Sequence, residues 1–169
     1  MKKRKPFSKF LRENVKLVNI EILPVEIDKI HCQYNYDRFK LYREVVRKGC
    51  NYNEILNISE SPHCDLLRNY IDNKEKVFDN IKKSMYYRMH KLYGKNHKWT
   101  INKIKTFFNL YEDIKKRGFI GEIVLINKPV VENKYNDGYE IYEGHHRTSC
   151  CYMLGLDTVN SQLVRTDIV

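Results

Sequence analysis

A run of polar residues at positions 143–149 is the part of the chain best suited to chemistry. It reads "EGHHRTS" and follows an alternating segment at 139–142. Glycine permits a sharp turn, so the pattern predicts a strand that ends at Glu143 and a helix that begins near His145. The first N–H groups of a helix have no partner within it, and the helix dipole adds positive character there. The turn is therefore predicted to bind an anion such as a phosphate group.

The side chains around this turn suggest a role for each residue. The predicted phosphate ligands are Gly144, His145, His146, Arg147, Thr148 and Ser149. An arginine can chelate phosphate through its fork of donors, hydroxyl groups add further donors, and histidines donate hydrogen bonds or shuttle protons. Glu143 is predicted to bind Mg²⁺ or to take a proton from an attacking hydroxyl, and it forms the predicted catalytic set with His145 and His146. The alternative is a turn whose polar residues only cap the helix.

Composition describes a folded protein with an uneven charge. Hydrophobic residues make up 42% of the 169 residues and charged residues 31%, which is typical of a globular domain. The formal net charge is +10, and the positive excess lies in residues 1–12 and 45–117. Such a basic section can attract nucleic acid or an anionic small molecule, or it can be solvated surface only.

Compartment and cysteine content give two further expectations. No apolar run approaches the roughly 20 residues that cross a bilayer, and the basic N-terminal segment lacks the apolar stretch of a secretory signal. We therefore expect a cytoplasmic protein with no membrane partner. The five cysteines show no C-x-x-C spacing, which disfavours a disulfide scaffold and a zinc ribbon. Cys150 and Cys151 are expected to be small buried side chains.

Hydrophobic periodicity in the first half predicts a tail, a strand and several helices. Residues 1–14 are predicted to form a basic tail, 15–27 one strand in which Pro24 is a candidate break, and 37–48 a helix. The dipeptide Ser61–Pro62 is a typical helix start. The longest helix is predicted over residues 73–93.

The second half predicts the elements that position the polar turn. A helix is predicted from Thr100, as its cap, to Gly118. Residues 122–142 are predicted to form a β-hairpin with a turn at 136–138. A short helix over 145–154 and a last strand near 157–166 complete a small mixed sheet with flanking helices, so the predicted fold class is α+β.

The order of these elements resembles the ParB/sulfiredoxin superfamily. In that family a helix ends in a K-x-G turn, a hairpin follows, and a G-x-x-R box opens a helix that ends at L-G. The matching segments here are "KRG" at 116–118, "GHHR" at 144–147 and "LG" at 154–155. The resemblance covers roughly 105–165 and the strand at 18–27. It implies a nucleotide-binding ParB/sulfiredoxin fold in a single domain, 15–169, with a helical insertion at about 45–103.

Departures from the family pattern indicate which branch is nearest. Sulfiredoxins have a catalytic cysteine where this chain has His145, so sulfinic acid reduction is not expected. Partition proteins carry a helix-turn-helix domain after the nucleotide domain, and we expect none because little sequence follows the last strand. The box is most similar to that of free-serine kinases and related small-molecule kinases, although Glu143 replaces the more usual aspartate.

The resemblance implies an enzyme that uses Mg²⁺ and ATP, or another nucleotide, to phosphorylate a hydroxyl group of a small molecule. The insertion is expected to approach the turn and to bind the acceptor through His63, Asp65 and Arg68. A ParB-like DNA-associated module, either a nuclease or a CTP- or ATP-binding switch, is the alternative, with nucleic acid as a less favoured partner. A domain that senses nucleotides without catalysis is a third interpretation.

Overall fold

The computed structural model describes residues 15–32, 56–126 and 138–168. The strands in these ranges are β1 Val15–Glu26, β2 Ile30–Cys32, β3 Leu56–Asn57, β4 Ile123–Ile126, β5 Tyr139–Glu143 and β6 Thr158–Ile168. The α-helices are α1 Pro62–Asp72, α2 Met85–Leu92, α3 His97–Arg117 and α4 His145–Met153. The tail at 1–14, the helix predicted over 37–48 and the hairpin connection at 127–137 lie outside these ranges.

The six described strands form one mixed sheet in the order β1-β6-β4-β5-β2-β3. Strand β4 is parallel to β6 and β2 is parallel to β5, whereas the other neighbouring strands are antiparallel. The predicted α+β class is therefore confirmed. The predicted pairing of β4 with β5 is also observed, and it places the end of β5 beside the beginning of β4.

The single strand predicted over 15–27 is observed as β1, and it continues through the candidate break at Pro24. Pro24 is exposed and lies opposite Asn160 of β6. In the described sheet β1 lies at the edge, and edge strands are where a proline, which has no N–H group to donate, is tolerated within a sheet. The irregularity in this pair lies instead between Asn19 and Glu21.

The continuous helix predicted over 73–93 is also wrong. Helix α1 ends at Asp72, a turn region follows, and α2 begins only at Met85. Ser84 causes the restart, because its Oγ accepts a hydrogen bond from the amide of Tyr87 and donates one to the carbonyl of Ile81. Serine and asparagine compete with helical hydrogen bonds in this way, and the apolar spacing alone did not reveal it.

Helix α3 has the predicted end but an earlier start. Asn96, rather than Thr100, is the cap, and its Oδ1 accepts a hydrogen bond from the amide of Trp99 at 2.8 Å. Thr100 lies inside the helix, where its hydroxyl donates to the carbonyl of Asn96. Gly118 ends the helix with φ = 80°, a conformation that favours glycine.

The helices pack on the sheet around one buried cluster of apolar side chains, and α1 and α3 both contact α4. The part of the expected insertion that is described, 56–103, contributes the short strand β3 to the sheet as well as α1, α2 and the beginning of α3. In the described ranges, no helix combines the length and the apolar character that a bilayer crossing needs.

Candidate functional site

The turn between β5 and α4 is built around a glycine that no other residue can replace without strain. Gly144 has φ = 116°, and a Cβ atom at this position would lie 2.8 Å from Cγ2 of Ile123. Both the backbone conformation and the close approach of β4 therefore require glycine. Gly144 also precedes α4 as its N-cap and has no side chain to satisfy the first N–H groups of the helix.

His146 faces the helical layer rather than solvent. The Tyr86 hydroxyl oxygen lies 2.7 Å from Nε2 of His146, and the ring of Phe107 stands perpendicular to the imidazole at 4.6 Å between centroids. Burial lowers the pKa of His146 to about 3, and the nearby positive charges of Lys103 and His145 act in the same direction. At neutral pH this imidazole is therefore uncharged.

His63 joins the first turn of α1 to the first turn of α4. Ser61 caps α1 by accepting a hydrogen bond from the amide of Cys64, which confirms the predicted start. The buried ring of His63 then lies 5.8 Å from the ring of His145 in a stacked arrangement and 4.7 Å from His146 in a perpendicular one. Three imidazoles therefore meet at the amino end of α4.

Asp65 and Arg68 have a different position from His63. The guanidinium of Arg68 lies 3.5 Å from the carboxylate of Asp65 and donates a hydrogen bond to the carbonyl of Ser59. On an α-helix these two residues are rotated by about 200° and 140° from His63. The structure therefore brings only one of the three expected acceptor residues, His63, to the turn.

The remaining predicted site residues at 143–149 divide into an accessible and an enclosed group. Arg147 is partly exposed, and its guanidinium donates to the carbonyl of Glu122 at 2.6 Å, which holds it beside β4. Glu143 is exposed at the end of β5. Thr148 and Ser149 are fully buried, and the hydroxyl of Thr148 donates to the carbonyl of Gly144. Their hydroxyls therefore do not face the open side of the turn.

Sequence reasoning missed three contributors to this site, Tyr86, Phe107 and Lys103. The first two belong to apolar faces that indicated only core packing. Lys103 is exposed on α3 and belongs to a basic stretch without a distinguishing neighbour. None of the three could be assigned to the turn without the packing of α2 and α3 against α4.

Three of the four described cysteines, Cys64, Cys150 and Cys151, are poorly suited to act as nucleophiles. Cys64, Cys150 and Cys151 are free and buried, as expected for the last two. Burial raises the pKa of all three thiols, that of Cys151 to about 12, so they remain protonated at neutral pH.

Metal binding at this site would depend on a ligand brought by a substrate. Among the described residues, no group of three or more histidine, cysteine or acidic side chains could hold a metal ion. Mg²⁺ is commonly held by one or two carboxylates together with substrate phosphates. Glu143 is suited to hold Mg²⁺ in this way. A site in which the protein supplies every ligand needs more than this one carboxylate.

Comparison of the chain with protein-family models, with curated proteins and with solved structures finds no match in any of the three.

Proposed function

We propose that the protein is a kinase that holds the phosphates of a nucleotide at the amino end of α4 and phosphorylates a hydroxyl group of a small molecule. One observation carries this proposal. His63 and His145 stack beside the uncapped first turn of α4, where Lys103 and Arg147 add positive charge. An anion is the ligand that this combination favours.

Phosphate binding is assigned to the backbone and to the exposed cations. The N–H groups of the first turn of α4, which the N-cap Gly144 does not cap with a side chain, point along the helix axis toward the bound phosphates. Arg147 uses part of its donor capacity on the Glu122 carbonyl, but a guanidinium has five N–H donors. It can therefore bind phosphate as well, while Lys103 supplies a second positive charge from α3.

Phosphoryl transfer needs positioning and charge neutralisation more than covalent chemistry. The acceptor oxygen attacks the terminal phosphorus, the bond from that phosphorus to the bridging oxygen breaks, and the nucleoside diphosphate leaves. Glu143 takes the proton of the acceptor hydroxyl, or it holds Mg²⁺ together with the phosphates. Bound Mg²⁺ would neutralise charge on the phosphate oxygens.

The two box histidines receive different roles. His145 is partly exposed at the first position of α4 and is assigned to the phosphates. His146 is an uncharged ring held by Tyr86, so it becomes a positioning residue rather than a group that stabilises transferred charge. His63 contacts both rings and is assigned to the acceptor side of the site.

The ParB/sulfiredoxin fold is part of this proposal. Its support is the order α3, β4, β5, α4, β6, with Gly118 at the end of α3 and Gly144 before α4. A second candidate function, a DNA-associated module that uses the nucleotide as a switch, is favoured by one observation. Between Lys74 and Lys105 the chain has ten lysines and arginines but only two carboxylates, Glu75 and Asp79.

Calorimetric titration with ATP, CTP and GTP, with and without Mg²⁺, tests the binding step. Lys103→Ala and Arg147→Ala should each weaken the nucleotide affinity, Arg147→Ala by about 1.5–3 kcal/mol, as for a charge-assisted contact. Lys116→Ala, at the exposed far end of α3, is the control and should bind normally. Unchanged nucleotide affinity in both test variants would show that the phosphates do not bind at this turn.

Transfer of labelled terminal phosphate to mixtures of sugars, amino acids and nucleosides tests the catalytic step. Label that moves to one acceptor class supports the kinase. Nucleotide binding without transfer, combined with duplex DNA that changes nucleotide affinity, would favour the switch instead.

A further inference from the structure

A groove of about 620 Å³ lies between one face of α3 and the turn region that precedes α2. Helix α3 contributes His97, Ile101 and Lys105, which follow one another at intervals of four residues and therefore share a face. The turn region contributes the other lining residues, Phe78, Asp79, Ile81 and Lys82. A volume of this size is typical of pockets that bind small organic molecules.

The groove is separate from the candidate site at α4. The positive charge of Lys103 acts on His146, so this lysine lies on the side of α3 that faces α4. Ile101 and Lys105 are each two positions away from Lys103, which corresponds to about 200° around the helix. A ligand in the groove and a ligand at α4 therefore lie on different sides of α3, and neither depends on the other.

The apolar part of the groove presents an aromatic ring. Phe78 packs perpendicular to the buried Phe108, with 5.9 Å between the ring centroids, yet 39% of its surface remains exposed. Ile81 is buried and Ile101 is half-buried, so aliphatic side chains adjoin the ring. A flat apolar ligand can stack on Phe78, since aromatic pairs favour offset-stacked arrangements.

The basic part of the groove adjoins this ring. Lys82 and Lys105 are exposed, and the Nζ atom of Lys105 lies 5.9 Å from the ring centroid of Phe78. Neither lysine pairs with a carboxylate in the part of the chain that the structure describes. Asp79 is the one carboxylate among the described residues of the lining. The groove therefore has an excess of positive charge that a ligand anion would neutralise.

His97 adds an oriented donor at the amino end of α3. The hydroxyl oxygen of the buried Tyr87 lies 2.8 Å from Nδ1 of His97, which fixes the ring and leaves Nε2 for a ligand. When Tyr87 donates to Nδ1, the neutral ring carries its proton on Nε2 and can donate it to an anion. The dipole of this 21-residue helix also favours negative charge at its amino end.

We propose that this groove binds a small aromatic anion, a flat ring system that carries a carboxylate or a phosphate group. The ring system stacks on Phe78, and the acid group meets Lys82 and Lys105, with His97 as a further donor. An aliphatic acid would use the lysines but not the face of Phe78. A neutral aromatic compound would leave the positive charge of the groove uncompensated, and an acidic peptide would not need the aromatic ring.

Calorimetric titration of the full chain at neutral pH with naphthoate and with naphthyl phosphate tests the proposal. Both anions should bind saturably, and the tighter one identifies the preferred acid group. Naphthalene methanol, the neutral analogue, should bind at least about fivefold more weakly than naphthoate, because it loses two partly exposed ion pairs. Octanoate keeps the charge but has no ring, and it should bind at least about twofold more weakly, the lower end for loss of an aromatic pair.

Matched lysine variants locate the charge that the anion meets. Lys82→Ala/Lys105→Ala should weaken naphthoate binding at least about fivefold, for the same reason as the neutral analogue. Lys115→Ala/Lys116→Ala removes the same formal charge from the exposed far end of α3 and should bind naphthoate normally. All four lysines are exposed, so these variants should fold like the parent chain.

Matched phenylalanine variants locate the ring. Phe78→Leu keeps an apolar side chain but loses the aromatic face, and it should weaken naphthoate binding at least about twofold while the affinity for octanoate changes little. Phe119→Leu makes the same substitution at a partly exposed position just beyond the far end of α3, and it should bind naphthoate normally.

Four results would overturn the proposal. The first is the absence of saturable binding of both naphthoate and naphthyl phosphate, and the second is equal affinity for naphthoate and naphthalene methanol. The third is normal naphthoate binding by the Lys82→Ala/Lys105→Ala and Phe78→Leu variants. The fourth is displacement of naphthoate by a glutamate-rich peptide that binds more tightly than either aromatic anion, which would make the groove a peptide-docking surface. None of these results bears on the nucleotide site, since Lys103→Ala and Arg147→Ala test that site.

Discussion

The hydroxyl oxygen of Tyr86 lies 2.7 Å from Nε2 of His146, a contact that joins residues 60 positions apart in the chain. Tyr86 is fully buried, and burial raises its pKa, so the phenol is neutral and able to donate. This bond ties α2 to the first turn of α4. The helical segment before α3 is therefore attached to the candidate site through a specific polar contact as well as through apolar packing.

Loss of this bond should destabilise the protein. Tyr86→Phe leaves Nε2 of a largely enclosed imidazole without its partner, which should cost about 1–3 kcal/mol of unfolding free energy. Urea denaturation measures the change. Tyr87→Phe is the matched control, because Tyr87 bonds Nδ1 of His97 at 2.8 Å but His97 is exposed and can bond water instead. Equal losses of unfolding free energy in the two variants would show that the buried Tyr86–His146 bond contributes no more than the exposed Tyr87–His97 bond.

The stability of the fold should fall in mild acid because of His146. Its folded-state pKa of about 3 lies below the ordinary value of 6.5, so the unfolded chain takes up a proton on this ring where the folded chain does not. The stability contributed by the neutral ring is fully present above about pH 6.5 and is lost as the pH falls toward about 3.

Urea denaturation at several pH values between 7.5 and 4.5 tests this pH dependence. His146→Gln can still bond Tyr86 but does not titrate, so its stability should fall less steeply than that of the parent chain. His97→Gln, which alters an exposed histidine, should retain the parent slope. Parallel curves for the parent chain and His146→Gln would show that His146 does not control the acid response.

Local signals in the sequence were sufficient for the elements that position the turn. The spaced apolar residues of α3, its stop at Gly118, the Ser61–Pro62 start of α1 and the hairpin before Gly144 each depend on neighbours a few positions away. The break before Ser84 was missed because apolar spacing alone cannot distinguish one long helix from two helices that share a face.

Contacts between distant segments explain what was missed in the candidate site. The apolar character of Phe107 predicts burial but not which partner it meets, and here the partner is the His146 ring. The hydroxyls of Thr148 and Ser149 had the right chemistry for a phosphate site, yet the packing of α1 and α4 encloses both. Side-chain type therefore indicated the site, whereas its exposed surface depended on the tertiary structure.

Gly144→Ala should be more destabilising than an ordinary glycine substitution. The residue combines φ = 116° with a Cβ position 2.8 Å from Ile123 Cγ2, so strain of about 1–3 kcal/mol is joined by a steric clash. Gly94→Ala is the control, since that position has φ = 72° but open space around it, and it should cost about 1–2 kcal/mol. Thermal unfolding of both variants gives the comparison, and equal melting temperatures would contradict the close approach of β4.

Glu143→Gln should separate catalysis from folding, provided that the proposed kinase activity is present. Glu143 is exposed at the end of β5, so its carboxylate contributes little to packing, and the variant should unfold like the parent chain. Loss of a general base lowers transfer by about 100-fold or more. Transfer of labelled phosphate to the acceptor identified for the parent chain measures that loss.

Glu122→Gln, which alters an exposed carboxylate near the same turn but leaves the Glu122 carbonyl bonded to Arg147, should transfer normally. Normal turnover by a folded Glu143→Gln protein would remove this carboxylate from the mechanism, and weaker nucleotide binding that appears only when Mg²⁺ is present would assign it to the metal rather than to the proton.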